Sequence, residues 1–140
     1  MAEYLRNDVQ TVSANQAAQF DSSIPCPRGN VFHEDGTGIF ILRGNTPNCF
    51  ARYQVTYNGN LAVSTGGTAE EVSVALAVNG ETRATSTATV TPAAVQDFFN
   101  ITSTAIVTVP KGCCFSVSLR NISTQSVDLV NSNLIINRIA

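Results

Sequence analysis

The residues able to do chemistry are few and scattered. His33 is the single histidine and Lys111 the single lysine. Nucleophilic catalysis of the Ser-His-Asp or Cys-His kind needs an imidazole to take the nucleophile's proton, so every such arrangement would hang on His33. That residue stands in His33-Glu34-Asp35, just ahead of Gly36 and Gly38. Glycines so placed mark a turn, and the expectation is a solvated turn with an incidental histidine. A metal site built on several histidines is excluded. Calcium needs several carboxylate or carbonyl oxygens, and the acidic pairs are Glu34-Asp35 and Glu70-Glu71, both expected in solvated loops. The four cysteines, Cys26, Cys49, Cys113 and Cys114, lack the C-x2-C spacing of a zinc site. They stay as thiols or pair in a connectivity that the sequence does not choose. Neighbours on a strand point to opposite faces, so one of Cys113 and Cys114 is expected in the core beside Phe115 and the other outside. No phosphate-binding glycine loop is present, and no cofactor is expected. Asn100-Ile101-Thr102 and Asn121-Ile122-Ser123 match the glycosylation acceptor pattern and read as plain turn residues.

The chain around these residues is one domain's worth of sequence, 140 residues and 14.8 kDa. Charged residues make up 13%, against roughly 25% in an average soluble protein. With a net charge of −2 there is no basic footprint for nucleic acid or anionic lipid. No apolar run approaches the roughly 20 residues that cross a bilayer as a helix. Neither nucleic acid nor membrane is expected as a partner. The first sixteen residues contain Glu3 and Asp8 and no apolar stretch like that of a secretory signal, so cytoplasmic synthesis and assembly are expected. Ser, Thr and Asn supply 40 of the 140 residues, and Val, Ile and Thr supply 39. β-branched side chains suit a pleated, half-buried surface, and small hydroxyls and amides keep its outer face wet without charge. Such a profile suits an all-β structural or adhesive protein better than an enzyme.

Residues 1–25 are polar and without clear period, and are read as an arm, with 13–20 as a helical turn or an extended stretch. Pro25 and Pro27 flank Cys26 and predict a rigid, extended lead-in to a domain over 26–140. Beyond it, turn signals punctuate short β segments at 31–33, 39–42, 49–57, 61–63, 71–78, 81–91, 102–109, 113–120 and 127–139. In 71–78, Val72, Val74, Leu76 and Val78 alternate with Ser73, Ala75 and Ala77, the period of a half-buried strand. Asn79-Gly80 follows, the preferred pair of a two-residue hairpin. Asn58-Gly59-Asn60 signals a turn or a bulge. Residues 93–99 are ambiguous. Eight to ten short strands with turns every 8–12 residues predict a sandwich or barrel.

The last strand departs from simple alternation. Leu134, Ile135, Ile136 and Ile139 put apolar side chains on both faces, and a strand with one solvated face should alternate. With no helix to cover the outer face, another subunit is the natural cover. In 49–57, Ala51, Tyr53, Val55 and Tyr57 share one face, while Phe50, Arg52 and Gln54 share the other.

The stretches NCFARYQVTYNGNLAV, VSVALAVNGETRATS, ITSTAIVTVPKGCCFSVSLRN and the terminal SNLIINRIA resemble the C-terminal domain of BclA-type exosporium glycoproteins, and more distantly C1q and TNF-like domains. The resemblance covers about residues 45–140. It implies an all-β jelly-roll sandwich that forms a tight homotrimer, the sheet holding the first and last strands facing the three-fold axis. On that analogy Phe50, Arg52, Gln54, Ile135 and Ile139 are the interface candidates. The chain lacks the collagen-like stalk of the exosporium proteins and has its arm instead. In that respect it is similar to small bacteriophage and prophage proteins of Firmicutes.

The reading that follows is a non-enzymatic structural protein, a trimer that decorates or projects from a bacteriophage capsid as a head fibre on the virion surface. Its arm would dock on the major capsid protein or another particle surface through Tyr4, Leu5, Val9, Val12 and Phe20. The alternatives are a spore-surface coat protein with its cysteines crosslinking it, and a carbohydrate- or receptor-binding module using the loops 64–69 and 93–100, where Phe98 and Phe99 adjoin.

Overall fold

The computed structural model describes residues 2–24, 30–34 and 36–140. Among the described residues twelve strands run in chain order: β1 Ala2–Arg6, β2 Gln10–Val12, β3 Ser22–Ile24, β4 Val31–His33, β5 Phe40–Arg43, β6 Phe50–Val63, β7 Val72–Val78, β8 Glu81–Thr82, β9 Ala88–Val90, β10 Phe99–Pro110, β11 Cys114–Asn121 and β12 Val127–Arg138. They make two antiparallel sheets. Sheet A has the order β10-β6-β12-β1-β3 with β2 also on β12; sheet B has the order β4-β5-β11-β7-β8 with β9 also on β7. The core lies between them, walled by Tyr53, Val55, Tyr57, Leu134 and Ile136 from sheet A and by Phe40, Leu42, Leu76 and Leu119 from sheet B.

Long strands form where alternation is clean. β6 and β10 pair from Phe50 opposite Pro110 to Leu61 opposite Phe99. Asn58-Gly59-Asn60 is neither turn nor bulge in β6. The irregularity falls on its partner β12, between Val130 and Asn133. Gly59 is needed because any side chain there would run into the Tyr57 hydroxyl. Asn79-Gly80 does close a hairpin between β7 and β8, with φ of 53° and 85°, as the twist of a two-residue connection requires. The return strand expected over 81–91 is broken by a 3-10 turn, Ala84–Ser86. There the buried Ser86 hydroxyl accepts from Leu76 N at 3.0 Å, taking the place of a backbone carbonyl.

The N-terminal segment corrects the expectation of an arm. β1 pairs with β12 over five residues, from Ala2 opposite Ile136 to Arg6 opposite Ser132. β2 pairs with β12 further along. The chain then crosses to sheet B, where Ala18 N donates to Leu119 O at 2.8 Å and Asn15 N to Asn121 O at 2.8 Å. Residues 13–16 make a tight turn, with Gln16 N donating to Ser13 O at 3.0 Å and Asn15 at φ 63°, and 17–20 run extended along sheet B rather than as a helix. Tyr4, Val12 and Phe20 are 3%, 4% and 0% exposed, so they fill the core and cannot serve as docking anchors. Leu5 is half-buried on the outer face of sheet A, and Val9 is exposed. The expected boundary between 25 and 26, and the lead-in through Pro25, Cys26 and Pro27, lie outside the described residues, as does Asp35.

The cysteines also differ from expectation. Cys113 and Cys114 are both exposed, and so is Cys49. Cys113 precedes β11 in its turn, so strand alternation does not reach it. Phe115 packs part-buried against the core.

Candidate subunit interface

The five interface candidates come together on one surface. Directly opposed residues of an antiparallel pair share a face. On β6, Ala51, Tyr53, Val55 and Tyr57 point into the core, so Phe50, Arg52 and Gln54 point out. Gln54 lies opposite Asn137 of β12 and Ile106 of β10, and Ile135 lies opposite Thr56 and Glu3. Ile139 N donates to Arg52 O at 2.9 Å, which holds the chain end alongside β6. The outer face of sheet A thus carries Phe50, Ile106 and Ile139, exposed by 42%, 51% and 46%, with Ile135 half-buried among them. Within the single chain nothing described covers this face. The Arg52 guanidinium sits 5.3 Å from the Phe50 ring centroid, a cation–π contact that holds both side chains in place.

Ile106 was not among the candidates. Its signal is the one that marks Ile135: it falls out of phase with Ile101, Ser103, Val107 and Val109, which face inward.

The other half of the same face is polar and already hydrogen-bonded. Asn100 Nδ2 donates to Asn58 Oδ1 at 3.2 Å and to Gly59 O at 3.3 Å. Thr102 Oγ1 donates to Asn58 Oδ1 at 3.2 Å, and the Thr56 and Thr104 hydroxyls are 3.1 Å apart. Asn100 therefore sits in a ladder of amides rather than a turn. Asn121 of the second acceptor pattern is 1% exposed, its Nδ2 donating to Val12 O at 3.0 Å and Gln125 O at 2.9 Å.

The one imidazole weighed for chemistry is spent on structure. His33 is on β4, not in a solvated turn, and its ring stacks on Phe40 with centroids 4.3 Å apart. Its Nε2 donates to Thr37 O at 2.8 Å. Tyr4 packs against both rings, and Phe20 joins Phe40 to Tyr57. The loops weighed as a binding surface meet around Asp128. Its Oδ1 accepts from Thr11 Oγ1 at 2.8 Å and Ser64 Oγ at 2.7 Å, and its Oδ2 from Gln96 Nε2 at 2.6 Å. Burial pushes this carboxyl's pKa up, but the three hydrogen bonds outweigh that and hold it below the ordinary 3.8. Tyr57 shows the reverse balance: burial pushes it up to about 12 despite its hydrogen bond to Ser132. Phe98 and Phe99 are exposed beside the Gln96 loop. Glu70 accepts from Gln125 Nε2 at 3.0 Å. Among the described residues no group of three or more His, Cys, Asp and Glu side chains is placed to hold a metal ion.

No family model matches the chain, and no curated protein matches it. Solved structures match by shape. The globular domain of zebrafish complement 1qA protein covers 96% of this chain and 94% of its own at 12% identity, with a TM-score of 0.61. The structure of Eiger TNF from S. frugiperda covers 100% of this chain and 92% of its own at 16% identity, with a TM-score of 0.66. A family 35 carbohydrate binding module from an environmental isolate aligns over 100% and 98% at 13% identity with a TM-score of 0.40, too loose to say anything about a site. At these identities the first two share the fold with this chain: it is a jelly-roll sandwich of the C1q and TNF kind. The Eiger alignment takes in the whole chain, including the N-terminal strands β1 to β3.

Proposed function

We propose that the chain is a non-enzymatic structural protein that assembles as a homotrimer through the outer face of sheet A. The observation that carries this is the cluster of exposed and half-buried apolar side chains, Phe50, Ile106, Ile135 and Ile139, on one sheet face. Removing apolar surface of this kind from water contributes about 25 cal/mol per Å². Two charged groups near the apolar cluster support packing against copies of itself. Glu3 is on β1 and Arg52 on β6, with β12 between them. A closed ring joins two different patches of each chain, so rotation can bring Arg52 of one copy toward Glu3 of the next.

In this reading the trimer decorates or projects from a bacteriophage capsid, as the sequence resemblance implies, and resides on the virion surface. A spore surface is the alternative. With Tyr4, Val12 and Phe20 in the core and Leu5 on the trimer face, Val9 is the one of the five expected anchors left to touch a particle, alongside exposed polar residues such as Asn7 and Asp8.

Light scattering on the purified chain tests the trimer. Three times the 14.8 kDa chain mass is expected, and one chain mass at micromolar concentration sinks the proposal. Immunogold labelling of phage particles and of spores from the organism carrying the gene separates the two surfaces.

A further inference from the structure

We propose that the hollow between β1, β2 and residues 13–19 binds a small polyhydroxylated carboxylate, a sugar acid of one ring, through Arg6. The inference does not rest on the trimer reading. Ala2 and Tyr4 of β1 face the core, and Arg6 follows them in the same phase, opposite Ser132. It therefore points away from the outer face of sheet A, and packing on that face does not use it.

The hollow measures about 380 Å³, and its lining includes Arg6, Val9, Thr11, Ser13, Gln16 and Gln19. Hydrogen bonds to both sheets hold its frame. Gln10 Nε2 on β2 donates to Gln19 O at 3.0 Å, and Gln10 Oε1 accepts from Gln19 N at 2.9 Å. Asn121 N at the end of β11 donates to Gln16 O at 2.9 Å. A frame fixed in this way does not have to be ordered when a ligand arrives.

Arg6 is its unsatisfied part. The Arg6 Nε is shielded from water and has no hydrogen-bond partner among the described residues. Among the described residues no carboxylate lines the hollow. Asp128, bonded to Thr11, also accepts from Ser64 and Gln96, and Asp8 is exposed in the connection before β2. A cation held out of water without a counter-charge is unfavourable. A carboxylate is the anion whose planar pair of oxygens matches the guanidinium's fork of donors. Turning the side chain into the hollow exchanges the shielding of Nε for a hydrogen bond to the ligand.

The rest of the lining sets what that carboxylate is attached to. Ser13, Gln16 and Gln19 bring a hydroxyl and two amides, which are neutral donors and acceptors suited to ligand hydroxyls. No aromatic ring is in the lining, so a flat apolar body finds nothing to stack on. The volume is at the low end for small-molecule sites, which suits a single ring rather than a chain.

The test titrates the isotope-labelled full-length chain and follows the Arg6 Nε–H and the Gln16 and Gln19 side-chain amides by NMR. Glucuronate is expected to shift these signals saturably, and glucose and acetate to bind at least about tenfold more weakly. Arg6→Met should abolish the shifts at Gln16 and Gln19 and leave the urea midpoint unchanged or higher, because it removes a shielded cation that has no partner. Gln16→Ala with Gln19→Ala changes exposed side chains, and should weaken glucuronate about threefold while leaving acetate unchanged. An absence of shifts at these signals overturns the site. Glucose binding as tightly as glucuronate overturns the role of Arg6, and acetate doing so overturns the sugar. A urea midpoint lowered by Arg6→Met makes the guanidinium a structural group and overturns the proposal as well.

Discussion

Deleting residues 1–20 should unfold this protein rather than trim it. The segment supplies Tyr4, Val12 and Phe20 to the core, each under 5% exposed. At about 1.5–3 kcal/mol for fully burying a large apolar side chain, those three contribute roughly 5–9 kcal/mol. The deletion also strips Asn121 Nδ2 of its acceptor at Val12 O, and an orphaned buried donor costs about 1–3 kcal/mol. It leaves one side of β12 without β1 over the five residues that pair. A domain of this size has only about 5–15 kcal/mol of net stability, so the loss is as large as the whole. Phe20→Ala is the graded version. Phe20 is fully buried between Phe40 and Tyr57, and emptying such a site costs about 3–5 kcal/mol. Urea titration followed by far-ultraviolet circular dichroism should show the midpoint falling by at least about 1 M. The deletion variant should show no cooperative transition. A deletion variant that unfolds cooperatively at the full-length midpoint would refute the reasoning and return residues 1–20 to the status of an arm.

Three further outcomes follow from named contacts. Ile106→Asp changes a side chain that is half exposed in the single chain, so it should leave the fold intact and shift light scattering from three chain masses to one; an unchanged trimer would remove β10 from the interface. Asp128 has its folded pKa held below 3.8, so its carboxylate stabilises the fold above the unfolded value of about 4, and that contribution is lost as pH falls through the lower folded value. The urea midpoint should therefore fall as pH drops below about 4, and Asp128→Asn should flatten that slope while costing stability at neutral pH; a slope equal in both proteins argues against the stabilising role of the hydrogen-bonded carboxylate. Ser86→Ala leaves Leu76 N without its acceptor in the core and should cost about 1–3 kcal/mol in the same titration, and a loss under a few tenths would mean that water fills the place.

The parts of the fold that were legible are those where one period persists. In β7 Val72, Val74, Leu76 and Val78 do face the core and the strand ends at the expected hairpin pair, but it is not half-buried, because Ala75 and Ala77 on its other face are 0% and 1% exposed as well. Residues 1–20 hide their strands for the opposite reason. The segment pairs with β12 twice and then with the end of β11, so Tyr4, Val12 and Phe20 answer to different neighbours and no single period joins them. The break at 84–86 is invisible because a run of Thr, Ala and Ser carries no hydrophobic pattern, while the hydroxyl of Ser86 satisfies a ladder position. The histidine was misplaced because Gly36 and Gly38 mark the turn correctly but say nothing of the strand that ends at His33 just before it. Of the candidate interface, Phe50, Arg52 and Gln54 were legible as the phase opposite to Tyr53 and Val55, and Ile135 as the residue that breaks alternation. The placement of Ile106 beside them depends on the β6–β10 register, which only tertiary pairing sets.

That register bears on why so uncharged a protein could bury its outer sheet. An interface built from Thr and Asn costs free energy if their polar atoms lose water without gaining partners. Here Asn58, Asn100, Thr102, Thr56 and Thr104 already bond to one another across β6 and β10 within one chain, so covering them strands few donors. In the proposed trimer the apolar half, around Phe50, Ile106 and Ile139, would provide the drive while the amide half would add contact area at little desolvation cost. A charged face of the same area would need a matched partner for every group. A composition with 13% charged residues and an abundance of small amides and hydroxyls is suited to such burial, and the ladder across β6 and β10 would let the proposed trimer cover this face with most of its polar side chains already bonded.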